Sequence, residues 1–212
     1  MVMQLYCMGE SGNAYKAALT LELAGVDWEP VFVDFFNGEA RKPEWREQIN
    51  VMGEVPALID GDVKLSQSAV IQQYVIDKTG SPLGGTPEEK YEVMRWVLWD
   101  NNKMSSQAGP LRFMTNFLSE KHRSDDVIKF LHGRTQGALE ILNKHLDGRD
   151  WIVGDAITVA DISCCAYLFY PETFGFDRAD WPHIDAWLTR ISDTPGWKHP
   201  YDLMPGHPDD RA

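Results

Sequence analysis

The first 80 residues alternate between two patterns, short apolar runs and segments with apolar residues three or four positions apart. The first pattern is typical of buried strands, and the second is typical of helices that cover one face of a sheet. Together they predict the order β-α-β-α-β-β-α, which gives a mixed sheet with helices on both faces. The predicted elements are strands at 3–7, at 27–35 and on either side of Gly61 and Asp62, and helices at 11–25, 42–50 and 67–80.

The sequence after residue 80 has the helical pattern. Residues 87–118 and 124–146 carry Trp, Leu, Met and Phe at helical spacing, which predicts two long helices. In the stretch "GDAITVADI", Thr158 suits the N-cap of a further helix and Asp161 suits its third position, as in a capping box. The predicted organisation is an α/β domain at residues 1–80, a Pro- and Gly-rich linker at 81–86 and an all-helical domain at 87–212.

The charge of the chain limits its partners. The sequence has 32 Asp and Glu against 20 Lys and Arg, a formal net charge of −12, and both predicted domains are acidic. Because neither domain offers a basic stripe, nucleic acid and anionic membrane surfaces are not expected as partners. No apolar run approaches the ~20 residues of a membrane span, and the beginning of the sequence does not look like a signal peptide.

The cysteines and histidines predict neither a disulfide framework nor a metal site. Three cysteines are too few for such a framework and indicate a reduced, cytoplasmic protein. The histidines show no pairing four residues apart and no cysteine neighbours, so no metal is expected. These residues are Cys7, Cys164 and Cys165, and His122, His132, His145, His183, His199 and His207.

A proline at the beginning of the third predicted strand needs an explanation. Pro56 has no N–H to donate to a sheet, and proline restricts the residue before it. If the bond between Val55 and Pro56 is cis, the backbone N–H and C=O of Val55 point outward, and an extended peptide can pair with them. The helix that opens at Gln67 and Ser68 presents free N–H groups to a carboxylate. The combination favours a site for a short anionic peptide.

Two stretches, in this order and spacing, resemble the cytosolic glutathione S-transferase family. They are "NVMGEVPALIDGDVKLSQSAVIQQYV" at 50–75 and "GDAITVADI" at 154–162. The resemblance covers nearly the whole chain. It implies a thioredoxin-like N-terminal domain followed by the all-helical glutathione-transferase domain, a role in detoxification, and glutathione as co-substrate. It also implies a homodimer, in which the α/β domain of one subunit packs on the helical domain of the other.

The resemblance assigns glutathione-binding roles to residues of the first domain. Val55, before the cis-proline Pro56, is expected to pair with the cysteinyl backbone of glutathione, and Ser68 with Gln67 is expected to hold the γ-glutamyl end. The chain departs here from the family's commonest pattern, which has Glu before Ser. Gln67 has no charge to meet the ammonium group of glutathione, whereas Glu54, next to Val55, adds a negative charge.

Other binding residues are implied with alternatives left open. Arg41 and Lys42 precede the second helix and either meet the glycyl carboxylate of glutathione or are solvated surface charges. The pocket for the electrophile is expected between the domains, where each side chain is either pocket or core, with Arg112 available to hold an anionic substrate. The residues predicted for this pocket are Met8, Met104, Arg112, Phe113 and Phe117.

A transferase must stabilise the thiolate of glutathione, because the free thiol is mostly protonated at neutral pH. Ser11, at the start of the first helix, resembles the serine of the serine-type classes, and Asn13 fits the asparagine that accompanies it. Tyr6 lies where the tyrosine-type classes keep their hydroxyl. The pattern favours Ser11, although Ser11 would serve equally well as a plain N-cap. Cys7 has no second cysteine three residues later, so dithiol chemistry is not expected.

Two classes of function remain. The first is an enzyme that conjugates glutathione to a hydrophobic electrophile, or a glutathione-dependent disulfide reductase, isomerase or dehalogenase on the same fold. The second is a non-catalytic binding or scaffold protein. The matched motif favours the enzyme, and the departure at Gln67 keeps the second class open. Trp96 and Trp99, on one long predicted helix, fit either a dimer surface or the core of the helical domain.

Overall fold

The structure, a computed structural model, describes residues 2–206 and divides into two compact units. Among these residues, unit 1 comprises 2–84 and 195–206, and unit 2 comprises 85–194. Met1 and residues 207–212, which belong to the predicted domains and include His207, lie outside the described residues. Within the described chain, no helix is both long enough and apolar enough to cross a membrane.

A four-stranded mixed sheet forms the centre of unit 1. Its strands are β1 (Met3–Cys7), β2 (Trp28–Phe32), β3 (Ala57–Asp60) and β4 (Val63–Ser66). The strand order is β2-β1-β3-β4, with β1 parallel to β2, and β3 antiparallel to both β1 and β4. This confirms the predicted mixed sheet, in which a crossover helix joins the parallel pair and a hairpin follows.

Two helices of unit 1, α1 (Gly12–Leu23) and α3 (Ser68–Thr79), pack against each other. A buried hydrogen bond joins them, from Gln72 Nε2 to Thr20 Oγ1 at 3.1 Å. The Thr20 hydroxyl donates in turn to the carbonyl of Lys16 at 2.7 Å. Because both polar groups are satisfied inside the core, this link fixes the two helices without an unpaired buried group.

The short helix α2 (Pro43–Gln48) forms a second, smaller apolar cluster with the sheet. Its buried Trp45 belongs to a cluster with Val33, which directly follows β2, and Tyr6 of β1 and Val55 pack against this cluster. Side chains of a strand alternate between the two faces of a sheet, so Tyr6 belongs to the α2 side. The predicted loose, polar helix at 42–50 is therefore anchored by one aromatic residue.

The first long predicted helix of unit 2, at 87–118, consists of three parts in the structure. Helix α4 (Lys90–Trp99) continues through a π-helical turn at Asp100–Met104 into α5 (Ser105–Asn116), which contains Pro110. A π turn adds one residue to a turn while the helix continues. The apolar spacing on either side remains helical, so the sequence pattern did not reveal the wider turn.

The rest of unit 2 is built from α6 (Asp125–His145), α7 (Val159–Cys165) and α8 (Pro182–Ser192). The predicted capping box at the start of α7 is present. Thr158 Oγ1 accepts a hydrogen bond from Ala160 N at 3.3 Å, and the Asp161 carboxylate accepts one from Thr158 N at 2.9 Å. Two N–H groups at the beginning of the helix are thereby satisfied.

Asp161 does more than complete this cap. Its Oδ1 also accepts hydrogen bonds from Ile152 N and from Trp187 Nε1 of α8, both at 2.9 Å. The residue is fully buried, and burial raises the pKa of its carboxyl above the ordinary value, while these hydrogen bonds act in the opposite direction. One carboxylate therefore ties the beginning of α7 to α8 and to the preceding loop.

The C-terminal segment differs from the predicted domain division. Residues 195–206 belong to unit 1, whereas the sequence pattern predicted that everything from residue 87 onward lies in the helical domain. The short helix α9 (Pro200–Leu203) packs on α1, Tyr15 Oη donates to Lys198 O at 2.8 Å, and Gly9 N donates to Pro205 O at 2.6 Å. Helical spacing predicts a helix but not the unit on which a short terminal helix packs.

We expect Asp161→Ala to lower the free energy of unfolding by about 3 kcal/mol or more, because the buried donors of Ile152, Thr158 and Trp187 lose their acceptor. The control Asp155→Ala removes an exposed carboxylate from the same loop and should change it by less than about 0.5 kcal/mol. Urea denaturation followed by circular dichroism measures both, and equal effects would contradict the structural role of Asp161.

Candidate functional site

The register of the sheet brings three predicted segments to one end of unit 1. Tyr6, near the end of β1, lies opposite Ala57 at the start of β3, and Ala57 lies opposite Ser66 at the end of β4. The beginning of α1, the backbone of Val55 and the beginning of α3 each follow or precede these positions by a few residues. The predicted glutathione-binding segments therefore lie next to one end of the sheet, where these strands begin or end.

Ser11 is the N-cap of α1. Its Oγ accepts a hydrogen bond from Ala14 N at 3.1 Å, and its own N–H donates to Met8 O at 3.1 Å. A serine hydroxyl has one proton and two lone pairs, and the cap uses only a lone pair. Within residues 2–206 the hydroxyl proton has no acceptor. The cap and the predicted catalytic role are therefore compatible.

The two residues considered with Ser11 have different surroundings. The Oδ1 atom of Asn13 is buried and accepts no hydrogen bond from the described residues, which costs about 1–3 kcal/mol unless a ligand supplies a donor. Tyr6, in contrast, packs against the apolar cluster of Val33, Ala40 and Trp45. Its ring therefore has a structural role, and the geometry favours Ser11 as the predicted thiolate donor.

Val55 presents a stretch of unpaired backbone beside the sheet. The Val55–Pro56 bond is cis, and the pairing of β3 with β1 begins only at Ala57. Neither the N–H nor the C=O of Val55 makes a hydrogen bond to any residue in the described range. Such groups can pair with an extended peptide in the way that a further strand would.

The beginning of α3 is also open to a ligand. Ser68 is only 6% exposed, yet its hydroxyl makes no hydrogen bond within the part of the chain that the structure describes. No side chain caps the helix, and the first N–H groups to find a carbonyl are those of Val70 and Ile71, which share Gln67 O at 3.0 Å. The N–H groups of Ser68 and Ala69 are thus available to a carboxylate.

Gln67, just before this helix, is held in an unusual conformation. Its φ is 69°, and it is the only residue other than glycine with positive φ in the described structure. Such a conformation costs about 1–3 kcal/mol and is found preferentially at functional sites. The side-chain Nε2 donates to Glu54 Oε2 at 3.1 Å and contacts Met52 Sδ at 3.5 Å. The two departures from the family pattern are therefore in direct contact.

Asn50, which was not among the residues predicted for the site, holds the turn that carries Glu54. It is 7% exposed, its Nδ2 donates to Glu54 O at 2.9 Å, and its Oδ1 accepts from Met52 N at 3.1 Å. The signal in the sequence is an asparagine three residues before Gly53, whose φ is 67°. This pair of residue types is typical of a tight turn.

Arg41 and Lys42 lie in the connection that leads into α2. Both side chains are exposed, and neither makes a hydrogen bond or an ion pair with another described residue. Their charges are therefore either available to the glycyl carboxylate of glutathione or simply solvated. The two alternatives from the sequence stay open, and the assignment stays a prediction.

The cysteines are poor candidates for nucleophiles. Burial raises the pKa of the Cys7 thiol from 9.0 to about 12, so almost none of the reactive thiolate exists at neutral pH. Cys164 and Cys165 are also free and buried, in α7. Residues 2–206 contain no group of three or more His, Cys, Asp or Glu side chains that could hold a metal ion.

The residues predicted for the electrophile pocket are divided between the units, with Met8 in unit 1 and the others in unit 2. The unit 2 residues are Met104 and Arg112, which are buried, Phe117, which is partly buried, and Phe113, which is exposed. Arg112 forms an ion pair with Glu172, with 2.5 Å between Nη2 and Oε2, and its guanidinium carbon lies 3.8 Å from the Tyr170 ring centroid. The Glu172 carboxylate therefore already neutralises the charge of Arg112, which was predicted to hold an anionic substrate.

Unit 2 has an open cavity of about 490 Å³ that the sequence did not predict. It is lined by Arg95, Trp96, Trp99, Ile141, Lys144, His145, Asp147 and Arg149. Trp96 is buried, and its ring centroid lies 4.3 Å from that of His145, so Trp96 belongs to the core. Trp99 is only partly buried and also lines a second cavity of about 330 Å³.

Comparison with known families matches both parts of the chain. Residues 1–77 match the family described as glutathione S-transferase, N-terminal domain, and residues 109–195 match glutathione S-transferase, C-terminal domain. The chain is 31% identical over 198 residues to glutathione S-transferase F10 of Arabidopsis thaliana, with 88% of this chain and 90% of the relative covered. The predicted thioredoxin-like domain followed by an all-helical domain is confirmed.

Two further similarities are with bacterial proteins. The disulfide-bond oxidoreductase YfcG of Escherichia coli (strain K12) is 26% identical over 194 residues, with 86% of this chain and 87% of the relative covered. A crystal structure of a glutathione transferase from Burkholderia graminis has a TM-score of 0.81 at 26% identity, covering 92% of this chain and 85% of that one. That structure has two glutathione molecules bound per protein subunit.

We expect Cys7 of the native chain to react with a thiol reagent at least about a hundredfold more slowly than in the urea-unfolded chain. Burial both hides the sulfur and raises its pKa to about 12. The measurement is timed alkylation near neutral pH, with the labelled peptides quantified by mass spectrometry. Cys164 and Cys165 serve as buried controls, and rapid labelling of native Cys7 would show that it is an accessible nucleophile.

Proposed function

The chain belongs to the glutathione S-transferase family, and we propose that it activates the thiol of glutathione for attack on a small hydrophobic electrophile. The observation that carries this proposal is Ser11, whose hydroxyl caps α1 through a lone pair and keeps its proton available. The positive end of a twelve-residue helix lies at the same place. A hydroxyl donor and free N–H groups at one helix N-terminus suit a thiolate.

Glutathione binds to unit 1 as an extended peptide in this proposal. The backbone of Val55 pairs with the cysteinyl residue, and Ser68 with the first N–H groups of α3 receives the γ-glutamyl carboxylate. Arg41 and Lys42 face the glycyl carboxylate. The backbone of Val55 and the hydroxyl of Ser68 support these assignments, because neither has a hydrogen-bond partner among the described residues and both are open to a ligand. The Burkholderia graminis structure, which contains bound glutathione, supports glutathione as the ligand.

The chemistry begins with loss of the glutathione proton to solvent. The free thiol has a pKa near 8.5, and each unit by which the site lowers it corresponds to about 1.4 kcal/mol of thiolate stabilisation. The Ser11 hydroxyl donates a hydrogen bond to the sulfur anion, and the helix N-terminus adds a favourable field. Asn13, beside Ser11 in the first turn, has a buried Oδ1 atom that a donor on the ligand could reach.

The thiolate then attacks the electrophilic carbon. A sulfur–carbon bond forms, and the electron pair of the broken bond departs with the leaving group or stays on an activated double bond, which solvent protonates. The protein contributes alignment of the two reactants and stabilisation of the anion before attack. Substrate residues beyond unit 1 remain those proposed from the sequence, with Met104, Phe113 and Phe117 as their apolar members.

A glutathione-dependent disulfide reductase is the second candidate, and the similarity to YfcG favours it. The bound thiolate attacks one sulfur of a disulfide, forms a mixed disulfide and releases the other sulfur as a thiol. A second glutathione then resolves the mixed disulfide and leaves oxidised glutathione. Both electrons come from glutathione, which agrees with the burial and high pKa of Cys7. Neither route requires a metal.

We also propose that the chain forms a homodimer in the cytoplasm. Large apolar side chains are exposed on two helices of unit 2 and on the turn before β3 of unit 1. They are Tyr91 (76%), Leu98 (58%), Phe130 (63%) and Ile141 (53%), and Val51 (77%) and Met52 (55%). Large apolar side chains that are exposed in one copy of a chain are candidates for burial at an interface between copies. The family resemblance implies that unit 1 of one copy packs on unit 2 of the other. Such a contact would cover the exposed apolar side chains of the unit 2 helices and those of the turn before β3.

We expect Ser11→Ala to raise the pKa of enzyme-bound glutathione by about one unit and to lower the conjugation rate by about 10- to 100-fold, because a charge-assisted hydrogen bond is lost. Ultraviolet difference absorbance of the thiolate against pH measures the first effect. Tyr6→Phe is the matched control, since it removes only the alternative hydroxyl, and it should change neither quantity.

The reverse result, a large effect of Tyr6→Phe with none of Ser11→Ala, would assign the thiolate to Tyr6. Loss of the N-cap itself costs about 1 kcal/mol of stability, so thermal unfolding of each variant accompanies the assay. The same preparations are offered an aromatic halide and a small disulfide. A faster turnover of the disulfide would favour the second candidate, and a bound glutathione without any thiolate would exclude both.

Sedimentation velocity should give twice the mass of the chain for the native protein. Ile141→Asp, on the exposed face of α6, is expected to shift the protein toward the monomer, because a charge would be buried at the interface. Glu140→Lys changes the charge at the neighbouring exposed position, which lines neither cavity, and is the control. A native monomer would contradict the dimer.

A further inference from the structure

The ammonium group of glutathione raises a question that the family pattern does not answer for this chain. The γ-glutamyl end carries a carboxylate and an ammonium on the same carbon, so the two groups must be met by neighbouring parts of one site. The proposed function, on which this inference rests, places the carboxylate at Ser68 and the start of α3. The residue before Ser68 is Gln67, which has no charge to offer the ammonium.

The contact between Gln67 and Glu54 determines which acceptors remain at this place. The amide of Gln67 must turn its nitrogen toward the Glu54 carboxylate, since an amide oxygen would be repelled there, and the 3.1 Å contact from Nε2 to Oε2 has this arrangement. The same nitrogen also contacts Met52 Sδ at 3.5 Å. The amide oxygen of Gln67 and the second oxygen of Glu54 accept no hydrogen bond within residues 2–206.

Glu54 has no cation of its own. In the described structure it makes no ion pair, and the lysine on the neighbouring strand β4, Lys64, donates instead to the carbonyl of Gln48. The backbone of Glu54 is nevertheless fixed, because the buried Asn50 donates to its carbonyl at 2.9 Å. Glu54 therefore presents an anchored, uncompensated carboxylate beside the start of α3.

We propose that Glu54 supplies the negative charge that binds the γ-glutamyl ammonium, and that Gln67 is a positioning residue that holds this carboxylate beside α3. In the commonest family pattern the residue before Ser68 carries the negative charge. In this chain Glu54, in the turn before β3, carries it, and a hydrogen bond from Gln67 links the two positions. Ser68 adds a second observation at this helix, because its hydroxyl has no hydrogen-bond partner among the described residues and is not enclosed, so that a ligand can reach it. The site is thereby selective for γ-glutamyl peptides with a free ammonium group.

The test measures the binding of two ligands to each protein variant. The ligands are glutathione and its analogue in which hydrogen replaces the γ-glutamyl amino group. Equilibrium dissociation constants are measured for the native protein, Glu54→Gln, Gln67→Glu and the double exchange Glu54→Gln with Gln67→Glu. The control Asp62→Asn removes an exposed carboxylate from the β3–β4 turn, away from the contact, and reports the general effect of one less negative charge. Circular dichroism verifies the fold of each variant.

The native protein should prefer glutathione over the analogue by about tenfold, as expected for one charge-assisted hydrogen bond. Glu54→Gln should bind both ligands alike, the double exchange should restore the preference, and Asp62→Asn should keep it. Restoration by the double exchange distinguishes placement of a charge from mere packing, because only the position of the carboxylate has changed.

Three results would overturn the assignment while leaving glutathione binding intact. These are no preference in the native protein, a full preference in Glu54→Gln, and a loss in Asp62→Asn equal to that in Glu54→Gln. A native protein that binds neither ligand would instead overturn the proposed function together with this inference. The two failures are therefore distinguishable in one set of titrations.

Discussion

The candidate site depends on polar groups that unit 1 holds in place and leaves without partners of its own. Buried polar groups in proteins are nearly always hydrogen-bonded, because an unpaired group costs about 1–3 kcal/mol. Among the described residues, the Oδ1 atom of Asn13 departs from this rule, and the backbone of Val55 and the hydroxyl of Ser68, which are not enclosed, also have no partner in the chain. A fold that leaves several polar groups unpaired at one end of its sheet must hold the backbone there in place. Otherwise small backbone shifts would let these groups hydrogen-bond to one another or to other parts of the chain. The register of β1, β3 and β4 and the buried link between Thr20 and Gln72 provide this rigidity.

Ser11 can serve both the fold and the proposed chemistry. As an N-cap it accepts a hydrogen bond from Ala14 N, which a helix of twelve residues needs at its beginning. The same hydroxyl can also donate its proton in a hydrogen bond, and the cap does not use that proton. A cap made by Asp would use the same acceptor geometry but would place a negative charge beside the thiolate. The hydroxyl is therefore the choice that meets both requirements.

Much of the fold, but less of the site, could be predicted from the sequence. The order of strands and helices followed from apolar spacing, and the Thr158 cap followed from residue types at fixed distances, because both signals are local. The packing of residues 195–206 on unit 1, the π turn at Asp100–Met104 and the internal partner of Arg112 could not be predicted. They depend on contacts between residues far apart in the chain. The same holds for Glu54 and Gln67, which the sequence showed as two unrelated departures from a family pattern.

The acidity of the chain further explains why the proposed site is built at helix N-termini. A protein with a net charge of −12 repels an anionic peptide at long range. At physiological ionic strength this repulsion is screened beyond about 8 Å, so the local groups decide binding. The starts of α1 and α3 provide positive potential without any cationic side chain, and they lie at the same end of the sheet. In the proposed site, a single exposed carboxylate such as Glu54 can then discriminate an ammonium group, because the start of α3 is assigned to the neighbouring carboxylate of the ligand.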